Sequence, residues 1–83
     1  MTKKELLERL KRERIPQKGM YAFDTGKWGD EFVLSNPTSN VWEVNYYDRG
    51  EYSLMSRFSS ETEACEYFYR EIKKYWNPSN SQN

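Results

Sequence analysis

The sequence lacks several residues on which common functional sites depend. It contains no histidine and a single cysteine, Cys65, among its 83 residues. Without histidine, the commonest general acid–base group and metal ligand is missing, and a Ser–His or Cys–His nucleophile pair cannot form. One cysteine excludes a disulfide within the chain and a zinc site built from cysteines. Paired carboxylates could still catalyse a reaction such as glycoside hydrolysis, but so small a domain leaves little room for a deep pocket that excludes water. We therefore predict a protein that is not an enzyme and that holds no metal and no cofactor.

Long apolar segments and an excess of charge are also missing. The longest apolar runs span a few residues, which is too short to cross a bilayer, and the first residues show no signal-peptide pattern. Thirteen basic side chains balance thirteen acidic ones, so no strong overall field favours nucleic acid or membrane. Only 36% of the residues are hydrophobic, but 17% are aromatic, and each aromatic side chain can bury a large area. The composition predicts a small cytoplasmic domain.

Two segments are predicted to form helices, over about residues 2–14 and 61–75. Each begins with a hydroxyl side chain followed three residues later by a carboxylate, the pattern of a capping box (Thr2 with Glu5, and Ser60 with Glu63). Each also carries apolar side chains at helical spacing. Proline at position 16 disfavours helical geometry in the residue before it, so the first helix should end there.

Three or four strands are predicted between the helices. Apolar and polar side chains alternate over residues 41–47 and 52–58, and Gly50 suits the tight turn that joins them. Residues 31–35 form a third strand, and residues 20–23 are a brief candidate for a fourth. In this alternation, Leu54 faces the core.

The predicted fold class is α+β, in the order α-β-β-β(-β)-α. An antiparallel meander sheet should carry both helices on one face in two layers. The other face of the sheet would then be free, with Tyr47 and Met55 on it. Residues 1–76 form the predicted domain, and the polar residues 77–83 are expected to be a disordered tail.

The charges are unevenly distributed along the chain. Residues 1–18 carry a net charge of +4, residues 19–66 a net charge of −6, and residues 67–83 a net charge of +2. Aromatic side chains among carboxylates suit the binding of a basic protein surface, because tyrosine and tryptophan supply contact area while charge steers the encounter. The alternative is a solvated acidic face with its aromatics in the core. The candidate contact residues are Asp24, Trp28, Asp30, Glu31, Glu43, Tyr47, Asp48 and Glu51.

A second interpretation concerns nucleic acid. The first helix is basic, and the order α-β-β-β-α resembles the double-stranded-RNA-binding domain. That domain presents a lysine-rich start of its second helix to phosphates. The corresponding residues here are Ser60-Glu61-Thr62-Glu63, which would repel phosphates. Nucleic-acid binding is therefore the alternative rather than the preferred function.

The hairpin and the start of the second helix carry a pattern of residues that resembles a known family. The pattern consists of Trp42-Glu43-Val44, Tyr47-Asp48-Arg49-Gly50, Leu54, Phe58-Ser59-Ser60-Glu61 and Glu63-Ala64-Cys65-Glu66-Tyr67-Phe68. It resembles small bacterial immunity proteins, which are encoded beside secreted polymorphic or contact-dependent toxins. The resemblance covers about residues 15–75 and assigns no individual contact residue.

This resemblance implies binding rather than catalysis. Such a protein would bind the C-terminal domain of its cognate toxin inside the producing cell, and would block the active site or the substrate-binding surface. Many such toxins are nucleases with a basic surface, for which an acidic sheet would compete. We expect a monomer or a weak homodimer, and no membrane partner.

Overall fold

The computed structural model describes residues 1–76 and confirms the α+β class. The elements are α1 (Lys3–Arg12), β1 (Tyr21–Phe23), β2 (Asp30–Thr38), β3 (Val41–Asp48), β4 (Glu51–Phe58) and α2 (Glu61–Tyr75). The short candidate at residues 20–23 is therefore a strand. The expected tail at 77–83 lies outside the described residues.

Both helices begin at the predicted caps. The Thr2 hydroxyl accepts a hydrogen bond from the Glu5 backbone N–H at 3.2 Å, and the Glu5 carboxylate accepts one from the Thr2 N–H at 2.8 Å. The Ser60 hydroxyl accepts from the Glu63 N–H at 3.3 Å. These bonds supply acceptors for N–H groups that the first helical turn leaves free. They join residues only three positions apart, so the sequence alone could predict them.

The four strands form one sheet in the order β1-β2-β3-β4. The pairs β2–β3 and β3–β4 are antiparallel, as the predicted meander requires, whereas β1 pairs with β2 in parallel, with Tyr21 opposite Phe32. The prediction of a wholly antiparallel sheet is therefore wrong for β1. Parallel neighbours usually need a long crossover. Here β1 is only three residues long, so residues 24–29 suffice to return the chain to the start of β2.

Both helices pack on one face of the sheet, which we call the inner face. The main core cluster contains Leu6, Leu10 and Ile15, the inward-facing side chains of β1, β2 and β3 (Tyr21, Phe32, Leu34 and Val44), and one side of α2 (Ala64, Cys65, Phe68 and Ile72). Ala22 and Val33 are buried too, but they lie outside this cluster, on the opposite side of their strands. We call that side the outer face.

A bulge in β4 changes which side chains face the core. The register passes from Val44 opposite Ser56 to Asn45 opposite Leu54, so Met55 is an extra residue. Leu54 consequently lies on the outer face and is 51% exposed, while Met55 packs against the core cluster. The predictions for these two side chains are both wrong, because strict alternation assumes an unbroken ladder.

Candidate functional site

Residues 24–29, which we call the crossover loop, run over the outer face of the sheet. The Gly26 N–H donates to the Tyr52 hydroxyl at 2.9 Å. A Cβ atom added to Gly26 would lie only 2.2 Å from the ring of Tyr47, so a larger residue would require the ring to move. Tyr47 and Tyr52 are opposite one another on β3 and β4, and their ring centroids are 4.6 Å apart. The loop backbone is thus seated directly on an aromatic pair.

The other end of the crossover loop is held by the carboxylate of Glu31. One oxygen accepts the backbone N–H groups of Lys27 and Trp28, and the other accepts those of Gly29 and Asp30, all at 2.8 Å. Successive N–H groups that converge in this way form a concave anion-binding turn. The protein fills this turn with its own side chain, which fixes the path of the loop.

The environment of Glu31 favours its charged form. Burial alone would raise the pKa of this carboxyl, but the four backbone hydrogen bonds outweigh burial and hold the pKa below its ordinary value. The side chain is 0% exposed. Glu31 was a candidate contact residue, but the structure encloses its carboxylate and presents none of it on the surface. Its role is to organise the loop.

The loop and the β3–β4 hairpin meet at one end of the sheet. The Arg49 N–H, in the hairpin turn, donates to the Gly29 carbonyl at 3.0 Å. At this end, Asp30 of β2 is opposite Asp48 of β3, and Asp48 is opposite Glu51 of β4. We call Asp30, Asp48 and Glu51 the acidic row. All three are exposed, and neighbouring strands lie about 4.8 Å apart, so they concentrate negative charge.

The other two candidate carboxylates are neutralised within the chain. Asp24 lies 3.7 Å from the Lys3 ammonium, and Glu43 lies 2.8 Å from the Arg57 guanidinium on the outer face. Within residues 1–76, by contrast, the acidic row makes no ion pair. The structure therefore brings together three of the six predicted carboxylates and separates them from Asp24, Glu31 and Glu43.

Large apolar side chains remain exposed at the same end of the sheet as the acidic row. Trp28 is 41% exposed, Tyr52 is 50% exposed, and Leu54 lies further along β4 on the same face as Tyr52. Tyr47 is only half-buried. The set of predicted contact residues did not include Tyr52 or Leu54. The position of Tyr52 opposite Tyr47 in the hairpin was a usable signal, whereas the exposure of Leu54 depends on the bulge.

These side chains lie around the hairpin end of the sheet on both of its faces: Tyr52 and Leu54 are on the outer face, and the acidic row is on the same side of its strands as Phe32 and Tyr46. Together they are a candidate interface. We call it the hairpin-end surface, and its members are Trp28, Asp30, Asp48, Glu51, Tyr52 and Leu54. Three are large apolar groups and three are carboxylates. Such a surface can bury aromatic anchors against a partner while its charges select a basic one.

The described residues contain little that points to reaction chemistry. No group of three histidine, cysteine, aspartate or glutamate side chains within residues 1–76 is placed to hold a metal ion. Cys65 is buried, and burial, reinforced by Glu61, raises the pKa of its thiol to about 11. The thiol therefore stays protonated at neutral pH and is a poor nucleophile. No helix in residues 1–76 is long and apolar enough to cross a membrane.

The basic side chains of the first helix lie close to acidic ones, which would repel phosphates. The Arg9 guanidinium lies 3.6 Å from the Glu13 carboxylate, one turn further along. At the start of α2, the Glu61 carboxylate accepts the Lys3 backbone N–H at 2.8 Å. No observation within the described residues favours nucleic-acid binding, which stays a prediction. A titration with duplex RNA at low and high salt tests it, because phosphate binding weakens steeply as salt rises.

Comparisons with known proteins add no relative. No protein-family model, no curated protein and no solved structure gives a significant match to this chain.

Proposed function

We propose that this protein is an immunity protein that binds the C-terminal domain of a cognate secreted toxin and neutralises it by covering its active or substrate-binding site. The observation that carries the proposal is the hairpin-end surface, where three exposed large apolar side chains and three carboxylates lie around one end of the sheet, and none of these carboxylates makes an ion pair among residues 1–76. The resemblance of residues 15–75 to immunity proteins points in the same direction.

The exposed side chains supply the two ingredients of a specific interface. Tryptophan and tyrosine are enriched among the residues that dominate binding energy, because they bury much area at little entropic cost. Trp28 and Tyr52 are therefore the expected anchors. The acidic row supplies long-range attraction toward a basic partner, which raises the association rate more than the final affinity.

The anchoring of the crossover loop also favours binding. A loop that is ordered before the encounter loses little conformational entropy on association. The four hydrogen bonds to Glu31 and the contact of Gly26 with Tyr47 hold the loop that carries Trp28. The surface is thus preorganised on the side that the partner would meet.

The protein would act in the cytoplasm of the toxin-producing cell, as a monomer or a weak homodimer. The toxin domain would have a basic functional surface, as a nuclease does, because the acidic row attracts positive charge and repels negative charge.

Co-expression with the toxin domain encoded by the adjacent gene tests the proposal. We expect the two proteins to co-purify, and we expect cells that produce the toxin domain to survive only when this protein is produced with it. A variant with Asp48→Lys and Glu51→Lys should lose most of this protection, whereas Glu8→Lys on the exposed side of α1 should retain it. Equal survival with and without this protein would contradict the proposal.

A further inference from the structure

A cavity of about 330 Å³ opens on the inner side of the sheet, beside the acidic row. It is lined by Gly19, Met20, Phe32, Tyr46, Met55 and Tyr75. Tyr75, the last residue of α2, is 72% exposed, so one wall of the cavity faces solvent. The volume lies at the lower end of the range found for binding pockets, and it suits one long side chain rather than a large ligand.

Three aromatic rings shape the walls of this cavity. The centroid of the Phe32 ring lies 5.2 Å from that of Tyr46 and 5.5 Å from that of Tyr75. Ring faces attract cations, and arginine is the commonest partner. Met20 and Met55 complete the lining with flexible, polarizable groups that adapt to the shape of an inserted side chain.

Tyr46 connects the cavity to the acidic row. Its ring lines the cavity, and its hydroxyl donates a hydrogen bond to Asp30. Phe32 is opposite Tyr46, and the next pair on the same side of the two strands is Asp30 opposite Asp48. None of the lining residues within the described part of the chain is basic. The apolar, aromatic cavity is thus linked through Tyr46 to Asp30, and neither Asp30 nor its strand partner Asp48 makes an ion pair within residues 1–76.

We propose that this cavity receives an arginine side chain of the protein partner. The methylene groups would lie against Phe32 and the two methionines, and the guanidinium would reach Asp30 and Asp48. Arginine fits better than lysine, because its planar head stacks on rings and binds carboxylates in a forked geometry. The inference rests on the proposed function for its biological context and deepens it by naming a residue that the partner must present.

A probe that needs no toxin tests this assignment directly. The methyl resonances of Met20 and Met55 in the full chain are followed by NMR during titration with N-acetyl-arginine amide. N-acetyl-citrulline amide, which is uncharged and nearly identical in shape, and N-acetyl-leucine amide are the comparison compounds. We expect saturable shifts at both methionines with the arginine compound, and affinity at least about fivefold weaker for the other two.

Two variants distinguish the aromatic from the acidic contribution. Asp30→Asn should weaken arginine binding about threefold to tenfold, whereas Asp24→Asn, which changes a carboxylate already paired with Lys3, should leave it unchanged. Tyr75→Leu keeps an apolar wall but removes a ring face, and it should also weaken binding. Because Tyr75 is largely exposed, the change should leave the fold intact.

Each other result overturns the assignment. Equal shifts with N-acetyl-leucine amide would show that the cavity binds an apolar side chain rather than arginine. The absence of shifts with all three compounds would show that it binds no amino-acid side chain of these kinds. Binding only after removal of residues 77–83 would assign the cavity to the chain's own end. In all three cases, survival in the toxin co-expression experiment would still report separately on the proposed function.

Discussion

Leu54 is opposite Asn45 in the β3–β4 ladder and faces away from both helices. The bulge at Met55 produces this orientation, and it leaves a leucine 51% exposed on an otherwise well-ordered sheet. An exposed leucine contributes little to folding, and Leu54 lies two residues from Tyr52 on the same face, within the surface that we propose for binding.

A pair of leucine substitutions tests this orientation. Leu54→Ala should change the free energy of unfolding by less than about 0.5 kcal/mol, as expected for an exposed position. Leu34→Ala, at a fully buried core position, should cost about 2–5 kcal/mol through lost burial and a cavity. Urea unfolding of both variants gives the comparison. Similar losses would show that Leu54 faces the core after all.

The carboxylate of Glu31 is expected to stabilise the fold despite its position in the acidic part of the chain. Glu31→Gln replaces one oxygen with an N–H₂ group, so at least two of the four backbone N–H groups lose their acceptor. We predict a loss of about 2–4 kcal/mol in urea unfolding, since unsatisfied buried donors and lost charge-assisted bonds are costly. Glu8→Gln, an exposed glutamate on α1, is the control and should be nearly neutral.

The same carboxylate should make stability depend on pH. The folded pKa of Glu31 lies below its ordinary value of 4.5, so this contribution is complete above that pH and is lost as the pH falls through the folded pKa. Glu31→Gln cannot titrate. The difference in unfolding free energy between the unmodified protein and Glu31→Gln should therefore shrink between pH 6 and pH 3 (about 1.4 kcal/mol per unit of pKa shift). A difference that stays constant with pH would refute this role.

Close packing of Gly26 on Tyr47 leads to a prediction about coupling. Gly26→Ala should cost about 1–3 kcal/mol of stability, because the new methyl group overlaps the tyrosine ring. In the background of Tyr47→Ala, the same change should cost much less. A double-mutant cycle measures this difference. Additive effects of the two substitutions would mean that the loop does not rest on the ring.

Local sequence signals are sufficient to predict the helices of this protein. The caps at Thr2 and Ser60 depend on residues three positions apart, and the apolar stripes depend on spacing within one segment. The hairpin turn around Gly50, which has a φ of +86°, is equally local. These elements were therefore predictable without knowledge of tertiary contacts.

The path of the crossover loop was not predictable in the same way. The parallel pairing of β1 depends on a loop that Glu31 and the Tyr47–Tyr52 pair hold over the outer face. The sequence pattern indicates a solvated Glu31, because alternation along the strand puts its side chain on the other face from Phe32, away from the core. Only the folded loop shows that it is enclosed.

The sequence predicts the kinds of residue that form the candidate site, but not every individual residue. Its acidic and aromatic nature follows from the charge distribution, and Trp28, Asp30, Asp48 and Glu51 were among the expected residues. Ion pairs with distant residues removed Asp24 and Glu43 from the set of free carboxylates. The bulge added Leu54, since an extra residue in one strand cannot be read from alternation alone.

The most direct test of the central claim is a map of backbone hydrogen exchange with and without the toxin domain. Binding through the hairpin-end surface predicts that amides of residues 26–30 and 47–54 gain protection, while the exposed side of α1 does not. Variants of Asp48 and Glu51 should reduce that protection at equal toxin concentration. Protection confined to α1, or none at saturating toxin, would contradict the account.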